Sequence, residues 1–188
     1  MIDSESRPHG NELSKNVLLS LVESCGIVGP RAADISRHFA ATGRQSSTAE
    51  SADLLLDLVG RCADERHPVA YLSVPLTTGH AYIECNARRD DTKADNKRRA
   101  HEAAQRLRAF LSDMVIDPSR LADVPGWEQA DYHAFWTKVI DQHADKVIFL
   151  DGWQYSDGCT IEFAKAVQLG LPRLTEYLMP LNVAAGSQ

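Results

Sequence analysis

From Pro68 onward the sequence alternates between short apolar runs and longer stretches of helical periodicity, and this alternation limits the fold more than any other feature. PVAYLSVPL, MVIDP and KVIFL are too short for helices and read as strands. Between them, DNKRRAHEAAQRLRAFLSD places Ala100, Ala103, Ala104, Leu107, Phe110 and Leu111 on one helical face. VPGWEQADYHAFWTKVIDQHAD reads as helix from about Gln129, and CTIEFAKAVQLG as a helix closed by Gly170. LPRLTEYLMPL supplies a last strand or edge segment. Strands that alternate with helices form a parallel sheet, because parallel neighbours need a crossover connection. The expected fold is therefore α/β, a Rossmann-like parallel sheet flanked by helices over residues 68–188.

Residues 1–67 read as a helical N-terminal extension. NELSKNVLLSLVESCG sets Leu13, Val17 and Leu21 four apart and stops at Gly26, and PRAADISRHFAA carries Ile35 and Phe39 at the same spacing. STAESADLLLDLVGRC opens with Ser47 and Glu50 at capping-box distance. Three short helices raise a helix-turn-helix reader of DNA as one reading. This region holds 7 Lys/Arg against 10 Asp/Glu, and the whole chain carries a net charge of −6. Duplex binding draws most of its affinity from phosphate neutralisation, so no nucleic-acid duplex is expected as a partner, and a helical cap or oligomerisation element is favoured.

With 188 residues and 44% apolar content the chain can bury a core of its own. No apolar run reaches membrane-spanning length and the start MIDSESRPHGNELSKN is polar, so a soluble cytoplasmic protein without a membrane partner is expected. Cys25, Cys62, Cys85 and Cys159 lack CxxC spacing, which argues against a zinc module and for reduced thiols.

Ligands of open parallel sheets bind beyond the carboxyl ends of the strands, so two loops carry the functional information. One starts at Thr77, Thr78 and Gly79 and runs on as HAYIECNARRDD, too long for a simple connection. The other is DGWQYSDG. There, Gly152 and Gly158 permit close backbone approach, while Ser156 and the amides of residues 157–160 lie where a helix begins and can receive a phosphate or a carboxylate. Glu162 reads as first-turn, where the helix dipole favours a negative charge by up to about 1 kcal/mol. Position alone favours helix-end stabilisation; the adjoining phosphate-binding type of loop and the switch-point face add the reading of a nucleophilic carboxylate aimed at the anomeric carbon of a sugar. Tyr71, inside the first strand, is either a buried aromatic or a phenol bonded to that carboxylate or the sugar. Ser73, Thr77, Thr78 and Gly79 follow as turn residues or as contacts to ribose and phosphate oxygens.

YLSVPLTTG, an amphipathic helix preceded by Asn96, and ADKVIFLDGWQYSDGCTIEFAKAVQLGLP together resemble the nucleoside 2-deoxyribosyltransferase-like superfamily over about residues 68–175. Its members include nucleoside deoxyribosyltransferases, 2′-deoxynucleoside 5′-phosphate N-hydrolases and cytidine monophosphate hydrolases. The resemblance implies that Glu162 is the nucleophile and that Tyr71 positions it. Ser156 stands where the nucleotide hydrolases use a serine for the 5′-phosphate, which favours a nucleotide over a nucleoside. Asp151, Gly152, Trp153 and the loop from Thr77 would line the sugar and base pocket. The family's general-acid aspartate has no counterpart, because Thr137 occupies its place; Asp131 is the first substitute, His133 the second on the strength of imidazole chemistry near neutral pH, and Asp141 the third. Val74 stands where many members have a smaller residue.

The implied activity is hydrolysis of the N-glycosidic bond of a nucleoside 5′-monophosphate through a glycosyl ester of Glu162. A deoxyribosyltransferase and a non-catalytic nucleotide sensor are the alternatives. Neither metal nor other cofactor is expected, and a homodimer or larger homo-oligomer is implied. Trp127, Trp136, Trp153, Tyr132 and Tyr155 are the aromatic candidates for stacking on the base.

Overall fold

The computed structural model describes residues 13–42, 47–63, 67–76 and 89–181. Among them are α1 (Lys15–Ser24), α2 (Pro30–Thr42), α3 (Thr48–Cys62), α4 (Arg89–Phe110), α5 (Gln129–His143) and α6 (Asp157–Gln168). The strands are β1 (Val69–Ser73), β2 (Met114–Ile116), β3 (Lys146–Phe149) and β4 (Arg173–Thr175). They pair in parallel in the order β2-β1-β3-β4. The chain moves from β1 to β2 on one side and then returns to lay β3 on the other. This reversal opens a crevice at the carboxyl ends of β1 and β3, and the architecture is the Rossmann-like α/β one.

All five residues of β1 are buried because both sheet faces are covered. Ala70, Leu72, Val115 and Ile148 meet Ala100, Ala103, Ala104 and Leu107 of α4, whose small side chains let the helix lie close to the sheet. On the opposite face, Tyr71, Ile116, Val147 and Phe149 share a core with Leu18 and Leu21 of α1, Leu55 and Leu58 of α3, and Phe135 and Ile140 of α5. The strand period of two thus sends Tyr71 and Ser73 toward α5 and α6, and Ala70 and Leu72 toward α4.

The N-terminal helices complete one layer of this structure. Ser14 caps α1 by accepting from Val17 N, and Ser47 and Glu50 form the expected reciprocal box at the start of α3. The amide of Asp117 donates to Ser24 O at 2.8 Å and that of Ala122 to Ser20 Oγ at 2.8 Å. Arg108 Nη2 donates to both Ser24 O and Val115 O, at 3.0 and 2.7 Å. These bonds fix α1 to the segment that follows β2. No described helix is long and apolar enough to cross a membrane.

Two sequence boundaries move. Helix α4 begins at Arg89, ahead of the start read at DNKRR, since its first turns are polar and carry no apolar period to detect. LPRLTEYLMPL yields only the three-residue edge strand β4 before turning back, with an antiparallel bridge between Leu174 and Pro180.

The start of β1 is locked to β3 by Asp145, whose Oδ2 accepts from Val69 N at 2.7 Å while its amide donates to Val69 O at 2.8 Å. Asp145→Ala leaves the buried Val69 N–H without an acceptor. It is expected to destabilise the fold by about 1–3 kcal/mol, read as a lower urea midpoint at unchanged m-value.

Candidate active site

The crevice at the switch point is a cavity of about 330 Å³. Its floor is built by Tyr71 of β1 and Glu162 of α6, which lie 91 residues apart in sequence. The phenol of Tyr71 donates to Glu162 Oε1 at 2.6 Å, and the hydroxyl of Ser73 donates to Oε2 at 2.6 Å. Both carboxylate oxygens are thereby fixed by neutral donors on one strand.

Helix α6 starts at Asp157 with Ser156 as its N-cap, so Glu162 stands in the second turn, not the first. The dipole effect fades within the first turn, and it does not keep this carboxyl ionised. Burial raises the Glu162 carboxyl from 4.5 to about 7, against the opposing pull of the Ser73 and Tyr71 hydrogen bonds. The expectation of a dipole-stabilised carboxylate is replaced by a desolvated one. Helix-end stabilisation therefore does not explain its position. The Tyr71 phenol is pushed well above its ordinary range, by burial first and by Glu162 second, so it remains a proton donor.

Ser156 and Gly158 line the cavity with Glu162. Ser156 Oγ accepts from Cys159 N at 3.5 Å, and the residue is buried. Gly158 has a steric reason: a Cβ there would lie 3.1 Å from His133 Nε2. His133 thus packs over the start of α6 and also lines the cavity. Gly158→Ala is expected to displace the imidazole by a few tenths of an ångström. Stability should change by no more than about 1 kcal/mol, which a melting curve checks.

Other expected site residues lie elsewhere. Asp131 is absent from the cavity wall, because its Oδ2 accepts from Glu128 N at 2.8 Å and closes the capping box of α5. Asp141 pairs with Lys165 at 3.0 Å, and Thr137 Oγ1 donates to His133 O at 2.6 Å. Asp151, Gly152 and Trp153 are not in the wall either. Gly152 adopts φ 84° to start a short 3-10 turn, after which Trp153 stacks on Phe163 with ring centroids 4.7 Å apart. This stacking holds Trp153 on α6. Thr77, Thr78 and Gly79 lie outside the described residues.

The cavity also contains groups not picked out from the sequence. Lys93 and Lys97, one turn apart on α4, line it together with Asp123 and Cys159. Burial, and secondarily the Glu162 charge, push the Cys159 thiol up to about 12, so it stays protonated. Of the five aromatic candidates for stacking, Tyr132 and Trp136 reach the wall. Trp127 instead packs against Tyr132 and Phe135.

Fold and site define a Rossmann-like α/β protein with a half-buried, doubly hydrogen-bonded glutamate at its switch point. Residues 91–174 match the model of a family described as a domain of unknown function, DUF4406. That span runs from α4 to β4 and includes Lys93, Lys97, His133, Ser156 and Glu162, while Tyr71 and Ser73 precede it. Neither the curated proteins nor the solved structures searched gave a match.

Proposed function

We propose that the chain is an N-glycosidase of nucleoside 5′-monophosphates, working through a covalent glycosyl ester on Glu162. The observation that carries this reading is the Glu162 carboxyl gripped by Tyr71 and Ser73 at the bottom of a cavity of mononucleotide size. Two neutral donors orient its oxygens toward the half-buried floor of the cavity. A desolvated carboxylate opposes the positive charge that develops on the sugar as the glycosidic bond breaks. The likeness of residues 68–175 to the nucleoside 2-deoxyribosyltransferase-like superfamily supports the same assignment.

In the first step a Glu162 oxygen bonds to the anomeric carbon as the carbon–nitrogen bond breaks. The bonding pair leaves on the base nitrogen. His133, on the cavity wall opposite the start of α6, gives that nitrogen its proton. In the second step water attacks the anomeric carbon, His133 takes back a proton, and the carboxylate leaves with its own bonding pair. Tyr132 and Trp136 provide the apolar surface for the base.

The test is chromatography of free base from a panel of ribo- and deoxyribonucleoside 5′-monophosphates, with the nucleosides in parallel. Base release from the monophosphates is expected. Absence of base release from every substrate, with or without an acceptor base, would remove the reading.

A further inference from the structure

An anionic substrate has to find cationic partners in this cavity, and among the described wall residues the lysines at 93 and 97 are the permanent ones. The remaining ionisable carboxyls there, Asp123, Asp157 and Glu162, repel a phosphate. The lysines do not lie there by accident of a solvated helix face. The buried stripe of α4 runs through Thr92, Asn96 and Ala100, and Asn96 Nδ2 donates to Leu76 O at 3.3 Å, pinning this turn to the segment after β1. Lys93 and Lys97 each follow a residue of that stripe and are half-buried. Further along the helix, Arg98 pairs with Asp95 and Glu102, and Arg106 with Glu176. No carboxylate among the described residues pairs with Lys93 or Lys97. Two half-buried ammonium groups one turn apart on a pinned helix present a pair of charge-assisted donors to one dianion.

We infer that Lys93 and Lys97 hold the phosphate of the substrate and restrict the site to phosphorylated sugars. The sugar's identity rests on the glycosidase reading, but the anion selectivity does not. Helix α4 packs on the sheet face opposite the α5 and α6 layer, so the phosphate is gripped from the side away from the aromatic wall. Ser156 at the start of α6 is left as a neutral contact, since Asp157 beside it cancels the attraction of that helix end for an anion.

Calorimetric titration of the full chain with ribose 5-phosphate and 2-deoxyribose 5-phosphate tests this without turnover, because neither probe carries a base. Wild type is expected to bind at least one of them, while the unphosphorylated sugars bind far more weakly. Lys93→Gln and Lys97→Gln should each weaken binding about ten-fold, and the double variant about a hundred-fold. The arginine pair, Lys93→Arg with Lys97→Arg, should retain most of the affinity, and melting curves check that all variants are folded. Equal affinity in wild type and the folded double glutamine variant overturns the inference. So does a wild type that binds no sugar phosphate, even if it releases base from free nucleosides. Lysine-dependent binding without base release from any nucleotide leaves the phosphate site standing and removes the glycosidase.

Discussion

Glu162→Gln is expected to lower base release by at least about a thousand-fold and, at the same time, to make the protein harder to melt. The loss follows from chemistry: an amide cannot form the glycosyl ester, and what remains is binding and polarisation. The gain follows from linkage. Folding raises the Glu162 carboxyl from 4.5 to about 7, so between these values the folded state holds a proton that the unfolded state has released. Its contribution to stability is complete below about pH 4.5 and is lost as pH rises through about 7. The full swing is on the order of 3 kcal/mol. The neutral glutamine escapes that cost while still accepting from one hydroxyl and donating to the other. At pH 8 a rise in Tm of about 6–12 °C is expected, shrinking toward zero at pH 5. Calorimetric melts of both proteins at the two pH values check it; a lower Tm for the variant at pH 8 would contradict the raised carboxyl.

Tyr71→Phe is the second large effect and separates positioning from mere packing. The phenyl ring keeps the buried volume of a side chain with no exposed surface, but Glu162 Oε1 loses its donor at 2.6 Å. That donor lowers the carboxyl, so its removal lifts Glu162 above about 7. In wild type, base release should rise with pH through about 7 as the nucleophile ionises. In Tyr71→Phe this acidic limb moves to higher pH. The rate at pH 7 is expected to fall about thirty-fold and to recover in part at higher pH. An unshifted limb with a uniformly reduced rate would assign Tyr71 a packing role alone.

Much of the fold was legible because it depends on local pattern. Short apolar runs divided by helical periods specified the parallel sheet, and Ser47 with Glu50 marked the start of α3 before any tertiary contact was considered. Glu162 and Tyr71 could be named from the superfamily likeness, yet what joins them is long-range. Strand alternation puts Tyr71 and Ser73 on one face, and the crossover brings α6 over that face. The illegible part has definable causes. Asp131 has the right charge in the right helix, but a carboxylate three residues into a helix is equally suited to cap it, and here its Oδ2 accepts from Glu128 N outside the cavity wall. Trp153 is expected in the pocket from the superfamily resemblance; its ring stacks on Phe163 and packs against Phe149. Lys93 and Lys97 carry no sequence signal that sets them apart from other lysines of a helix. Their place in the cavity wall depends on long-range packing, including the Asn96 bond to Leu76 O between residues 20 apart.

The most direct test of Glu162 as nucleophile is mass spectrometry of the protein quenched during reaction with a 2-fluorinated nucleoside 5′-monophosphate. The electron-withdrawing fluorine destabilises the charged transition states and lets the glycosyl ester accumulate. One sugar phosphate per chain, mapped to the peptide that contains Glu162 and absent from Glu162→Gln, is the predicted result. Stoichiometric base release with Glu162 unmodified, or an adduct on another side chain such as Cys159, would contradict it.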